Sequence, residues 1–185
     1  MSNGVLQPPV GPADHCRGPA GAPVTLVEYG DYECPHCGRA YVVLATVLAA
    51  LGDDVRFAFR NFPLAQSHPH AQSAAEAAES VAAHGGARAF WAVHDLLYEN
   101  QDALEPDDLL EYAKRTGVDP ALVASDLSTG AMAARVRADF KSGTRSGVNG
   151  TPTFFVNGRR FDGDWEDPAA FAAALRAAAR AGARR

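Results

Sequence analysis

Cys34 and Cys37 lie two residues apart in the stretch YGDYECPHC, and the chain has three cysteines in all. A pair at this spacing can bind a metal ion, close a loop as a disulfide, or exchange electrons with other thiols. Because the pair follows a predicted strand and precedes a predicted helix, we expect Cys34 at the helix N-terminus, where unpaired N–H groups and the helix dipole stabilise an anion. The pKa of Cys34 should therefore be low. Cys34 would then be the attacking thiolate at the surface, and Cys37, more deeply buried, would resolve the mixed disulfide.

The two residues between the cysteines suit the same chemistry. Pro35 fits the first helical turn, where its missing N–H is not needed. A protonated or hydrogen-bonding His36 would stabilise a Cys34 thiolate further, which would make the protein the more oxidising partner in disulfide exchange. The alternative for His36 is an exposed loop histidine without a functional role.

The segments around the cysteines predict a β-α-β unit. Residues 24–29 (VTLVEY) are rich in β-branched and apolar side chains and predict a strand that ends at Gly30. Residues 37–51 predict an apolar helix, and residues 55–62 predict the second strand. A helix that connects two such strands has to cross one face of the sheet, so the cysteines lie between the first strand and this crossover helix.

The C-terminal part predicts a hairpin and a final helix. TFFV and RRF flank Asn157-Gly158, which is a strong signal for a two-residue β-hairpin. Asp167-Pro168 then predicts the start of an Ala-rich helix. The order of elements outside the middle of the chain is therefore β-α-β followed by β-β-α, an α/β fold with a four-stranded mixed sheet flanked by helices.

The middle of the chain predicts helices only. Its apolar stripes at helical spacing indicate packing faces. The HPH motif (residues 68–70) is expected to cap or pack the start of this block, and a place at the rim of the active site is the alternative. We therefore assign the chain, in order, to an extended lead-in (1–21), the first half of the sheet domain (22–63), a helical insertion (64–147) and the second half of the sheet domain (148–185).

A second motif, Thr151-Pro152, lies at the start of the predicted hairpin. Proline there does not donate to a sheet ladder, and an X-Pro bond is the common setting for a cis peptide. Such a bond would leave the Thr151 backbone able to pair with an extended peptide. By itself Thr-Pro before a strand is weak evidence, but it gains weight from the strand–CxxC–helix order upstream.

The stretches EYGDYECPHC, NFPL…HPHA and GVNGTPTFFVNG resemble the DsbA-like branch of the thioredoxin superfamily, from about Asp14 to the final helix. The resemblance implies a thioredoxin fold with an inserted all-helical subdomain and the activity of a protein thiol–disulfide oxidoreductase. It implies that Cys34 is the nucleophile, Cys37 the resolving cysteine and Pro152 a cis-proline that faces them. Substrates would be cysteine-bearing proteins or peptides docked against Thr151. A further thiol or redox partner would recycle the dithiol, and no metal or organic cofactor is required.

Two more features follow from this resemblance. Pro35-His36 is the dipeptide typical of strongly oxidising members, and Glu28 matches a buried acid found in many of them. Glu28 shares a strand face with Val24 and Leu26, and burial there would raise the pKa of its carboxyl. Such an acid could exchange the Cys37 proton through water. The alternative is that Glu28, near the strand end, reaches solvent.

Composition limits the other classes of function. The net charge of −5 does not favour nucleic-acid binding as the main task. The longest apolar run, residues 40–51, is too short to cross a membrane. Because the N-terminal residues lack the pattern of a secretory signal, we expect a cytoplasmic protein, although an exported one is the alternative that the family suggests. In a reducing cytosol the direction of electron flow stays open between oxidase, reductase and isomerase.

Two rival functions and one cysteine remain open. His15, Cys16, Cys34 and Cys37 could supply a zinc site, although the chain has no second CxxC. A redox-inactive peptide-binding or chaperone module could instead use Thr151-Pro152. Cys16 itself is expected to be a bystander thiol, with a third redox partner as the alternative.

Overall fold

The computed structural model, which describes residues 4–182, has a five-stranded mixed sheet flanked by helices. The strands are β1 (His15–Arg17), β2 (Val24–Gly30), β3 (Val55–Asn61), β4 (Thr153–Val156) and β5 (Arg159–Phe161), and they follow the order β1-β3-β2-β4-β5 across the sheet. The pairs β1–β3, β2–β4 and β4–β5 are antiparallel. This arrangement confirms the thioredoxin fold.

Strand β1 corrects the prediction of four strands. It lies in the segment 1–21, which we predicted to be an extended lead-in, and Cys16 pairs with Ala58 of β3. The sequence HCR has neither β-branched residues nor alternation, so no local pattern marks it as a strand. It is a strand because the edge of β3 offers backbone partners, which is a property of the folded sheet.

The hairpin and the crossover helix follow their local signals. Asn157 and Gly158 both have positive φ, 48° and 78°, which is the backbone conformation of a type I′ turn. Helix α1 (Pro35–Leu51) begins two residues earlier than predicted. The helix is apolar nearly all round in sequence, but only one face of it is buried. Its buried side chains recur every three or four residues; they are Cys37, Ala40, Leu44, Val47 and Leu51.

Within residues 4–182, the stretch Pro35–Asp54 is the one helical segment long and apolar enough, by length and composition, to cross a membrane. Its exposed apolar side chains include Val42, which is 65% exposed. Core helices of soluble proteins and signal sequences near an N-terminus pass the same test of length and composition, and 28% of this stretch is buried.

The middle of the chain is helical, as expected. Its helices are α2 (Ala71–Glu99), α3 (Pro106–Arg115), α4 (Pro120–Thr129) and α5 (Ala133–Ser146), and α2 packs against α3 and α4. The span α2 consists of two helices that meet at a kink at Gly86, whose φ of 72° is not helical. The Asp119 carboxylate accepts the Ala121 N–H at 2.9 Å, so Asp119 caps α4.

The chain forms two compact units. One contains the residues up to Gly30, Arg39–Arg60 and the residues from Ser142 onward; α6 (Pro168–Gly182) packs against β2 within it. The other contains Asp31–Gly38 and Asn61–Lys141. The cysteine motif thus groups with the helical unit, whereas our sequence-based boundaries placed it in the first half of the sheet domain.

Candidate active site

Cys34 occupies the N-cap of α1. Its carbonyl accepts the Gly38 N–H at 3.1 Å, which is the first α-helical hydrogen bond, and Pro35 is the first helical residue. The Cys34 N–H donates to the Asp31 carbonyl at 3.2 Å, closing a turn just before the helix. The thiol therefore lies where the helix dipole favours a thiolate, as its position in the sequence predicts.

The burial of the cysteines differs in part from expectation. Cys34 is 4% exposed and Cys37 is 0% exposed, so Cys34 is the more accessible of the two but is not the surface residue that we predicted. The side chains of Pro35 and His36, between them, are exposed. Both cysteines are thiols in this structure.

Gln101 holds the backbone of the turn before the helix. Its side-chain N–H groups donate to the carbonyls of Tyr32 at 2.7 Å and Cys34 at 3.0 Å. The amide of Gln101 also fills the space beside Gly38, where a Cβ atom would lie 2.1 Å from the Gln101 Oε1. Glycine at position 38 therefore leaves room for the side chain that binds both carbonyls.

The side chains of this turn bind the helical unit. The Tyr32 hydroxyl is 3.1 Å from Nδ1 of the buried His94, and the two rings meet edge to face. The Glu33 carboxylate accepts the His70 N–H at 2.6 Å. Because each of these side chains has a partner in the helical unit, the turn is rigidly held.

The buried Asp31 carboxylate makes three close polar contacts. One of its oxygens accepts the Glu33 N–H at 2.8 Å. The other accepts the Leu64 N–H at 2.8 Å and lies 2.8 Å from Nδ1 of His68. A carboxylate only accepts, so Nδ1 of His68 carries the proton of that bond. His68 is therefore part of the turn that ends at Cys34, and not only of the start of the helical block.

The pKa of His68 is raised above its ordinary value. Burial of the ring opposes protonation, but the hydrogen bond to Asp31 and the Asp31 charge outweigh that cost. The charges of Cys34 and Glu33 raise the pKa further. The imidazolium form is thus favoured by three neighbouring anionic groups.

Three further predicted site residues lie in the unit that contains most of the sheet. Glu28 is 1% exposed on β2, opposite Phe154 of β4, so the predicted burial is correct and the solvent-exposed alternative is wrong. The Thr151–Pro152 peptide bond is cis and immediately precedes β4. The Thr153 hydroxyl donates to the Gly150 carbonyl at 2.7 Å and closes the loop around this bond.

Cys16 belongs to the same unit and is half-buried on β1. Burial raises the pKa of its thiol, although the neighbouring Arg56 offsets part of the effect. A thiol with a raised pKa is a weaker nucleophile at neutral pH, which fits a bystander. Over the described residues, no group of three or more His, Cys, Asp or Glu side chains is arranged to hold a metal ion.

Sequence reasoning missed the residues that hold the turn. Asp31 lies in the motif itself, and the HPH motif was visible, but neither carries a local signal for pairing with the other. Gln101 follows the end of α2, in a stretch without any functional pattern. Their roles depend on contacts between residues that are 37 and 67 positions apart.

A family model described as "Thioredoxin" matches residues 11–177. The chain is also similar to the Na(+)/H(+) antiporter NhaA 3 of Salinispora tropica, at 47% identity over 95% of this chain and 26% of the antiporter. It therefore spans about a quarter of the length of the curated relatives it matches.

Solved structures share the fold over nearly the whole chain. Oxidised BdbD from Bacillus subtilis is 26% identical, with a TM-score of 0.81, covering 91% of this chain and 94% of that protein. A thioredoxin-like oxidoreductase from Silicibacter pomeroyi is 25% identical, with a TM-score of 0.77 and 95% of each chain covered.

Proposed function

Because the chain belongs to the thioredoxin family and has the fold of the DsbA-like thiol–disulfide oxidoreductases, we propose that it exchanges disulfides with cysteine-bearing proteins through Cys34 and Cys37. The observation that carries the proposal is the location of Cys34 at the N-cap of a long helix, with Cys37 one turn further on. That position stabilises one thiolate of a dithiol and leaves the second sulfur close enough to resolve a mixed disulfide.

The exchange has two steps when the protein acts as an oxidant. A substrate thiolate attacks the Cys34 sulfur of the Cys34–Cys37 disulfide, forms a mixed disulfide and releases the Cys37 thiolate. A second substrate thiolate then attacks the substrate sulfur of the mixed disulfide and releases Cys34 as a thiolate. Two electrons pass from the substrate dithiol to the protein, and Cys37 takes up one proton.

We propose that the protein has oxidising character. The N-cap position favours the Cys34 thiolate, and a hydrogen bond or positive charge from His36, which is exposed two residues further on, would stabilise it further. Stabilising the leaving thiolate makes the disulfide form easier to reduce, by about 30 mV for each tenfold shift in the equilibrium. Equilibration with glutathione buffers would measure this potential, and a thioredoxin-like value would contradict the proposal.

We extend the proposal to the residues that the sequence assigned to substrates and protons. Thr151 and Pro152 would bind an extended substrate segment by backbone pairing. The buried Glu28 would exchange a proton with the dithiol during resolution. A cytoplasmic location also remains a proposal; rapid labelling of Cys34 in intact cells by a membrane-impermeant thiol reagent would contradict it.

The similarity to antiporters does not change the activity that we propose. The relatives that are named as antiporters match this chain over only about a quarter of their own length. The thioredoxin family model, in contrast, matches residues 11–177 of this chain. We therefore propose disulfide exchange, not ion transport, for the part that this chain shares with them.

The decisive experiment compares three single serine variants in oxidation of a reduced two-cysteine peptide. C34S should abolish turnover, and the matched control C16S should keep the wild-type rate. C37S, offered the oxidised form of the same peptide, should accumulate a mixed disulfide, because Cys34 attacks the peptide disulfide and no Cys37 is present to resolve the product. Turnover that survives in C34S would refute the proposal. One equivalent of zinc with unreactive thiols would support the metal-site alternative, and peptide binding without turnover would support the redox-inactive alternative.

A further inference from the structure

The Asp31–His68 pair is a charged contact beside the dithiol that disulfide exchange, as proposed above, does not use. The Asp31 side chain is fully buried, whereas His68 is 18% exposed. His68 is therefore in contact with solvent and can exchange its proton. Asp31 in turn accepts the Cys34 N–H through its backbone carbonyl, so His68 binds the residue that is hydrogen-bonded to the nucleophile.

The charges around Cys34 require such a cation. Asp31 and Glu33 both belong to the four residues that end at Cys34, and negative charge beside a thiol disfavours its thiolate. This effect opposes the stabilisation that the helix N-terminus provides. When His68 is protonated, it neutralises the buried carboxylate; when it is neutral, Asp31 keeps a full negative charge next to the nucleophile.

We propose that His68 is a positioning residue of the dithiol site, whose imidazolium holds the Asp31–Cys34 turn and stabilises the Cys34 thiolate released when the disulfide is reduced. This inference rests on the proposed function and follows one of the protons that the reaction releases. In the reaction, a substrate dithiol loses two electrons and two protons. Cys37 takes one proton, and His68 takes the other if it was neutral before the reaction; otherwise that proton goes to solvent. Cys34 remains a thiolate in either case.

The coupling between His68 and Cys34 works in both directions. The Cys34 charge contributes to the raised pKa of His68. By linkage, the imidazolium lowers the pKa of Cys34 by the same amount. The charges of Asp31 and Glu33 also raise the pKa of His68. The other histidine of the HPH motif, His70, faces a different carboxylate and lies 3.6 Å from Glu105. The oxidising strength of the site should therefore decline as pH rises through the pKa of His68.

The test compares H68Q, H68K and H84Q in a C16S background. Glutamine keeps a donor for Asp31 but removes the charge, whereas lysine keeps a charge. His84 is a matched control because its Nε2 lies 2.9 Å from Asp126 in a second histidine–aspartate pair of the same unit. The readouts are the pH titration of thiolate absorbance and the equilibrium with glutathione.

In H68Q we expect the pKa of Cys34 to rise by about one unit, and the equilibrium constant at neutral pH to shift by roughly tenfold toward a less oxidising protein. H68K should restore most of the effect, and H84Q should match its parent. A parent with a low Cys34 pKa that H68Q leaves unchanged would overturn this inference alone. A parent pKa near that of free cysteine, about 8.5, would overturn the oxidising function as well.

A second measurement does not depend on the folding of a variant. The imidazole proton resonances of His68 can be titrated in the reduced and oxidised wild-type protein. We expect a higher His68 pKa in the reduced form, because only that form carries the Cys34 thiolate. Equal values in the two forms would overturn the inference, whatever the variants show.

Discussion

Replacing Gly38 by alanine should destabilise the turn before α1 because of Gln101. The added Cβ atom would lie 2.1 Å from the Gln101 Oε1, so the Gln101 side chain has to move. Its movement breaks the hydrogen bonds to the carbonyls of Tyr32 and Cys34, at 2.7 and 3.0 Å. Two such bonds contribute about 2 kcal/mol together.

A second effect of the same substitution has the opposite sign. Alanine stabilises a helix by about 0.5–1 kcal/mol relative to glycine, because it has less backbone entropy to lose. G38A should therefore lower the free energy of unfolding by about 1 kcal/mol in the wild-type background. Once Q101A has removed the clashing side chain, G38A should instead be neutral or stabilising by up to about 1 kcal/mol.

Urea unfolding of the reduced wild type, both single variants and the double variant measures this reversal as a double-mutant cycle. The rate of Cys34 alkylation, measured in parallel, should rise in G38A and in Q101A because the turn is held less firmly. If G38A destabilises the protein equally with and without Gln101, contact with that side chain is not the cause and the reasoning fails.

Three other predictions concern residues in both units. E28Q keeps the shape of the buried side chain but removes its titrating group. In single-turnover assays, resolution of a mixed disulfide should therefore slow by roughly tenfold or more, while the melting temperature stays unchanged. An unchanged rate of resolution would exclude a proton-transfer role for Glu28. His68 has a raised pKa in the folded protein, so its stabilising contribution is complete below the unfolded value of about 6.5 and is lost as pH rises through the folded pKa. The urea midpoint of unfolding should therefore fall more steeply with rising pH in wild type than in H68Q. If the midpoints of the two proteins change with pH in parallel, His68 makes no such contribution to stability. D119A removes the hydrogen bond that caps the Ala121 N–H, so it should lower the free energy of unfolding by about 1 kcal/mol. The reactivity of the Cys34 thiol should not change, and a changed rate of Cys34 alkylation would show that α4 affects the site.

Much of the fold follows from short-range physical chemistry. The Asn157-Gly158 turn has positive φ at both residues, which these two residue types tolerate and most others do not. Asp119 followed by a proline forms a helix start by itself. In such cases the conformational preferences of adjacent residues decide the element, so the sequence predicts it without knowledge of the rest of the chain.

Strand β1 and the burial of Cys34 show the limit of local reasoning. The residues HCR carry no strand preference, and they pair only because β3 has an open edge. Cys34 was predicted to be at the surface because it starts a helix, yet it is 4% exposed. Exposure depends on what the rest of the chain places over a residue, and no pattern within the motif contains that information.

By itself, the sequence determined that two cysteines meet the N-terminus of a helix, since a strand, the dipeptide Pro35-His36 and an apolar helical pattern are all contiguous with them. That was enough to predict the chemistry, because the helix dipole acts within one turn. Only the tertiary structure decided which side chains hold the turn that contains Cys34 and which charges surround it. Asp31, His68 and Gln101 come together from distant positions through packing of the helical unit, and packing depends on the whole chain.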